Sequence, residues 1–354
     1  MSLASYSGMT AKVKAMQGRL FTPADFERLS AEPSVASAIA FVLAHPGYEA
    51  LAGGEAMTRR ENMERALRES LFNDFRRLYR FGNAEQKAFL KLYFTRYEAW
   101  LIKYALRYIL AGRSPYPLLA DYLPLFGHIA SFDTETFLRS ADAAEAAAAL
   151  HGTLFEEPLR IVCANAMASL FDFETAVDLA HFSHVWKARD KKLSPQDTES
   201  LTAAYGTRID LLNLQWIFRA MHFYHQSGSA VTAMLIPVRY RLWRGEAERL
   251  AAGPVPESFD DLLTGTAYEK MVPLFAGGAV VHTEAVCADF LADVYQKAAD
   301  THPHTAAIMN AYLYRKEAEV KAITTVIEGI RYGLTPAESL AGAFPIRTER
   351  RYLS

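Results

Sequence analysis

Three acidic residues fall inside the apolar stripes of long helical segments: Glu98, Asp210 and Glu319. Glu98 shares a helical face with Phe94, Leu101 and Ala105; Asp210 shares one with Gly206, Asn213, Leu214 and Ile217; Glu319 shares one with Tyr312, Ile323 and Val326. A carboxylate in such a stripe is costly unless it is paired and hydrogen-bonded. The arginines nearby in sequence, Arg96, Arg107, Arg208, Arg219 and Arg315, are the expected partners, in ion pairs that hold helices together. Two other roles are open to the same residues, lining a shared binding cavity or acid–base catalysis. The second needs two carboxylates on one substrate, and three acids in three separate segments lie too far apart for that.

Histidines are the other reactive set. His181 and His184 are spaced i,i+3, as are His222 and His225. Four imidazoles on facing helices can surround a metal. Asp178 with His181 has the spacing of half a di-iron carboxylate site, but Arg219 stands three before His222 where the second half needs an acid. Surface or hydrogen-bonded histidines are therefore the expectation, with no metal and no cofactor. No phosphate-binding GxxxxGK[ST], GxGxxG, HExxH, EF-hand loop or GxSxG is present. Cys163 and Cys287 form no CxxC pair, which argues against a disulfide framework.

The 354 residues are 51% hydrophobic and 22% charged, with a net charge of −2, so a folded chain without a nucleic-acid footprint is expected. Charge is uneven. Residues 133–180 carry nine acids against Arg139 and Arg160, whereas 57–81 carry seven arginines against four acids. Such asymmetry suits oriented docking to other proteins. No apolar run reaches the ~20 residues that span a bilayer, and the first residues hold no uninterrupted secretory-type apolar stretch.

The elements that position these residues read as an all-α fold. Apolar residues recur at three- and four-residue spacing, with short punctuation at Gly53-Gly54, Phe81-Gly82-Asn83, Gly253-Pro254 and Gly277-Gly278. Three long helices are predicted: from Asn83 to a stop at Gly112, from Ser194 to a stop at Gly228, and from His302-Pro303 to a stop at Gly333. Each has its carboxylate about halfway along. The offsets from Glu98 to Gly112 and Pro115 equal those from Glu319 to Gly333 and Pro336, where Ser114 and Thr335 read as N-caps. Upstream, Glu64, Glu174 and Glu284 each lie near the start of a helix, and Phe26, Phe137 and Phe259 mark short ones. The pattern is a threefold repeat of about 110 residues, divided as 1–129, 130–241 and 242–354. Three such repeats could close around a pseudo-threefold axis.

Several stretches resemble a known family. Tyr6-Ser7-Gly8, Ala11-Lys12-Val13-Lys14-Ala15, Gly18-Arg19-Leu20 and Asp25-Phe26 are similar to the opening of the C-type central-stalk subunit of V/A-type rotary ATPases, the family that includes the eukaryotic d-type subunit. So are Asp210-Leu211-Leu212-Asn213-Leu214 with Arg219, and Lys316-Glu317-Ala318-Glu319-Val320 with Ile323 and Gly329 through Leu334. The third repeat departs in having Ala322 where the second has Asn213.

The resemblance implies an all-helical, funnel-like socket that is not itself an enzyme. Its implied partners are the D/F-type central shaft and the membrane rotor ring, with membrane association only through them, on the cytoplasmic side. By their recurrence in the repeat, Glu98, Asp210, Glu319, Gly112, Gly228 and Gly333 read as structural or cavity-lining positions. The alternatives are an unrelated helical-repeat adaptor and a histidine-rich metalloenzyme.

Overall fold

The computed structural model describes residues 4–49, 51, 55–127, 129–238, 240–242, 244–275 and 283–344. The punctuation expected at Gly53-Gly54 and Gly277-Gly278 lies outside them. All regular structure among the described residues is helical, so the all-α expectation holds. Six long helices dominate: α1 (Arg60–Phe81), α2 (Ala84–Ile109), α3 (Leu170–Lys192), α4 (Pro195–His222), α5 (Thr283–Thr301) and α6 (Ala307–Arg331).

Their ends follow from local chemistry. Asn83 and Gln86 exchange side-chain and backbone hydrogen bonds in a capping box at the start of α2. Ser194 caps α4, with Pro195 at the first helical position, where its missing N–H leaves nothing unsatisfied. Two predicted boundaries are corrected. The third long helix begins at Ala307, because His302 instead donates its N–H to Ala298 at the end of α5, and Pro303 cannot continue that ladder. The second ends at His222, because His225 takes φ 48° and Gln226 N–H turns back to the Ala220 carbonyl. The predicted stop at Gly228 therefore belongs to the next helix, Gly228–Met234, capped by Ser227.

The chain divides into two compact units: Met1–Gly82 with Glu199–Ala204 and Ser258–Ser354, and Asn83–Thr198 with Tyr205–Glu257. In the first, α6 packs against α1, α5 and the short helices Pro23–Ser30 and Pro336–Ala343. Its core joins Phe21, Phe26, Leu29, Ile39, Val42 and Leu67 to Ile323, Val326 and Ile327. Full burial of each such side chain contributes about 1.5–3 kcal/mol.

In the second unit α2 and α3 run antiparallel. Lys103 Nζ meets Asp178 at 2.8 Å, Arg107 Nε meets Glu174 at 2.7 Å, and Thr95 Oγ1 meets His181 at 2.9 Å. As one sequence number rises, the other falls. α3 and α4 also run antiparallel, since Thr198 Oγ1 donates to the Arg189 carbonyl at 3.0 Å while Arg208 lies over the Phe182 ring, and they bury Phe182 and Ile209 with Leu179, Leu212, Trp186 and Trp216 around them.

Candidate functional site

Glu319 projects from the middle of α6 into the core of the first unit. Its Oε2 accepts the Phe21 backbone N–H at 2.6 Å. Its Oε1 accepts the Tyr48 hydroxyl at 2.7 Å and Lys316 Nζ at 2.9 Å. Lys316 is itself buried and lies 3.8 Å from the centre of the Tyr48 ring, so the charge has an anion and a π-face as partners. Burial, with Glu319 as acceptor, holds the Tyr48 phenol protonated well above its ordinary range. Two helical turns earlier, Tyr312 donates to Asp74 at 2.6 Å, which ties α6 to α1.

Asp210 holds the equivalent place on α4. Its Oδ2 accepts the backbone N–H groups of Arg241 and Leu242, both at 2.9 Å. Three residues on, Asn213 extends the clamp: Ile236 N–H donates to its Oδ1 at 2.8 Å, and its Nδ2 donates to the Ile236 carbonyl at 3.1 Å. Beside Asn213 opens a groove of about 1010 Å³ lined by Leu179, Ser183, Ile236, Val238 and Ala247.

Glu98, on α2, repeats the motif in reduced form. Ser131 N–H donates to Oε1, while Oε2 is buried without a hydrogen-bond partner among the described residues. Burial pushes the Glu98 carboxyl above its ordinary value, against the opposing pull of Ser131.

The three carboxylates thus share one task. Each accepts at least one backbone N–H from a stretch that leads into another helix. Phe21 precedes Thr22, the N-cap of Pro23–Ser30; Ser131 lies two before Asp133, the N-cap of Thr134–Leu138; Arg241 and Leu242 precede Arg244–Ala252. Charge-assisted hydrogen bonds are roughly twice as strong as neutral ones, which suits an acid to this purpose at Asp210 and Glu319, where two or more donors converge.

The arginine partners expected from sequence are corrected for the first and third acids. Arg96 donates to the Tyr93 hydroxyl, Arg107 pairs with Glu174, and Arg315 reaches Gln296. Lys316, one residue from Arg315 but on the buried side of α6, is the actual cation at Glu319. Its i,i+3 spacing was the available signal. For Asn213 the signal was its place one turn after Asp210 on the same face.

The glycines serve different ends. Gly112 and Gly333 adopt φ 66° and 71° in the same two-bond helix stop, Arg113 N–H to Tyr108 with Gly112 N–H to Ile109, and Leu334 N–H to Gly329 with Gly333 N–H to Ile330. Gly228 is different. A Cβ there would lie 2.7 Å from the Ala251 carbonyl oxygen, so it is needed for close backbone approach.

Two of the four paired histidines have partners within the protein. His181 is buried against Thr95, and desolvation holds its imidazole well below the ordinary value, hence neutral. His222 Nδ1 lies 3.0 Å from the Pro256 carbonyl oxygen. No group of three metal-ligating side chains occurs among the described residues.

These buried acids fasten backbone within each unit, and comparison with known proteins supplies the family. The model of the ATP synthase (C/AC39) subunit family matches residues 9–340, so this chain belongs to that family. The C subunit of the A-type ATP synthase of Haloquadratum walsbyi is 23% identical over 349 residues, spanning 93% of this chain and 95% of the relative. No helix among the described residues is long and apolar enough to cross a membrane.

Proposed function

We propose that this chain is the non-catalytic central-stalk link of an A-type ATP synthase, receiving the rotating shaft and seating it on the membrane rotor ring at the cytoplasmic side. Membership of the family supports the complex. The recurrence of one device, Glu98 with Ser131, Asp210 with Arg241 and Leu242, and Glu319 with Phe21, supports the role. A part that transmits torque must not yield where its segments join, and these anchors fasten such joins.

The same recurrence favours the three-repeat organisation, 1–129, 130–241 and 242–354, as a funnel-like socket. In that scheme Glu319 of the last repeat holds Phe21 of the first. Nucleotide chemistry belongs to other subunits in this reading, and ion transfer to the ring.

The test is to tag the chain in its native cell, solubilise membranes in mild detergent and identify what co-purifies. Shaft, ring and head subunits recovered with one copy of the chain are the expected result. Recovery without them, under conditions that keep the complex intact, overturns the reading. A companion measurement follows coupling: variants that loosen the anchors should leave ATP hydrolysis by the head but lower ion pumping per ATP.

A further inference from the structure

One end of the second unit is unusually apolar for a surface. α2 and α4 terminate there while α3 begins, since both run antiparallel to α3. Tyr224 is 70% exposed and Phe223 48%, just past the end of α4; Phe171 is 57% exposed in the first turn of α3. Met167, in the loop before it, is 88% exposed, and Ile161 near the end of the helix Glu156–Cys163 is 60% exposed. Large apolar groups grouped this way mark interaction sites.

The loop carrying Met167 is a built feature. Its N–H groups are engaged, Met167 with Asn165 Oδ1 and Ala168 with the Asn165 carbonyl, and a Ser169–Asp172 capping box fixes the start of α3. Met167 is thus presented by a fixed backbone, so little ordering entropy opposes docking.

Charge says what docks. Nine carboxylates lie in 133–180, against Arg139 and Arg160 in the same stretch and Lys103 and Arg107 reaching over from α2. Four of the nine, Asp133, Asp142, Glu145 and Asp172, are exposed and spend their oxygens on backbone N–H groups, leaving their charge without a cation. The basic cluster of α3, Arg189, Lys191 and Lys192, is at the far end of that helix, ~30 Å away at the usual helical rise. Arg113, just past α2, and Arg219, in the last turn of α4, add two cations at that end, and an apolar face whose border remains mainly acidic fits a partner surface that is apolar and basic. Cytoplasmic loops between membrane helices carry excess lysine and arginine.

We infer that this end of the second unit, centred on Met167 and Phe171, docks onto the basic cytoplasmic loops of the membrane rotor ring. The inference rests on the function proposed above and gives that function's ring contact an address.

The test uses the full chain, purified shaft subunits and detergent-solubilised ring. Wild-type chain should bind both. Met167→Asp with Phe171→Asp should weaken ring binding at least tenfold, leaving shaft binding and the thermal midpoint unchanged. Glu145→Gln with Asp142→Asn, which keep their backbone acceptors, should flatten the salt dependence of ring binding. A photoreactive residue at 167 should crosslink to a ring protein. If wild type binds the ring and the double aspartate variant binds it equally, the surface assignment fails while the proposed function stands. Loss of shaft binding, or crosslinking of 167 to shaft or to a second copy, also overturns the assignment. If wild type binds neither shaft nor ring, the underlying function falls.

Discussion

The backbone N–H of Phe21 donates to the carboxylate of Glu319 at 2.6 Å although 298 positions separate the two in sequence. The bond fixes the approach to the first short helix by a group on the last long one. Lys316 and Tyr48 complete the shell, so every part of the arrangement depends on the others.

Removing the acid alone therefore exposes the whole shell to loss. Glu319→Ala leaves Lys316 buried without its anion and is expected to cost about 3–5 kcal/mol in a urea denaturation series. Lys316→Met on that background should recover part of the loss, because it removes the stranded charge. Additive losses from the two changes would show that the pair is not coupled.

Glu98 should behave in the opposite sense. Its folded carboxyl is raised above the ordinary value of 4.5, so the folded state holds its proton more tightly than the unfolded chain does. Its contribution is full below that value and is lost as pH rises through the folded one. Glu98→Gln keeps the acceptor for Ser131 and cannot ionise. The variant should melt no lower than wild type at pH 8, with the difference closing toward pH 4.5. A growing advantage for wild type as pH rises would refute this.

His181 titrates the other way. Its folded imidazole is held well below 6.5 by burial, so its contribution is present above 6.5 and is lost as pH falls toward the folded value. His181→Gln should lessen the acid-side drop in melting temperature below pH 6.5. Elemental analysis of the purified protein should find less than one equivalent of metal per chain.

The glycines should separate by mechanism. Gly112→Ala and Gly333→Ala place a Cβ in left-handed backbone with open space around it, at a cost of about 1–2 kcal/mol each. Asparagine should cost less than alanine at both. Gly228→Ala drives a Cβ to within 2.7 Å of a carbonyl oxygen, and there asparagine should be worse than alanine. Thermal melts of the six variants would show the two orders.

Much of this was legible in the sequence because it is local. The capping box at Asn83, the N-cap at Thr335, the mid-helix acids and the stops at Gly112 and Gly333 are set by residues within a turn or two, whereas Ser114 is no N-cap because the helix after it starts one residue late, at Tyr116. What each acid holds was not legible. Its acceptors bond to backbone N–H groups, which every residue but proline has, so neither Phe21 nor Arg241 carries a mark of its role. Charge invited arginine partners; burial chose Lys316 and main chain. His225 in left-handed backbone misled for a related reason, since a glycine three residues later looked the better stop.

The first unit is assembled from stretches on both sides of the second, most of which lies between them in sequence. During synthesis, residues 83–198 leave the ribosome before α6 exists, while Phe21 and Tyr48 wait for a carboxylate that lies 298 and 271 positions further along the chain. The ribosome thus delivers a chain in which Phe21 and Tyr48 stay unsecured until α6 has been made. A transcript cut short just before α6 yields a product that exposes the apolar face meant for that helix, a ready signal for proteolytic disposal before it can reach a membrane complex.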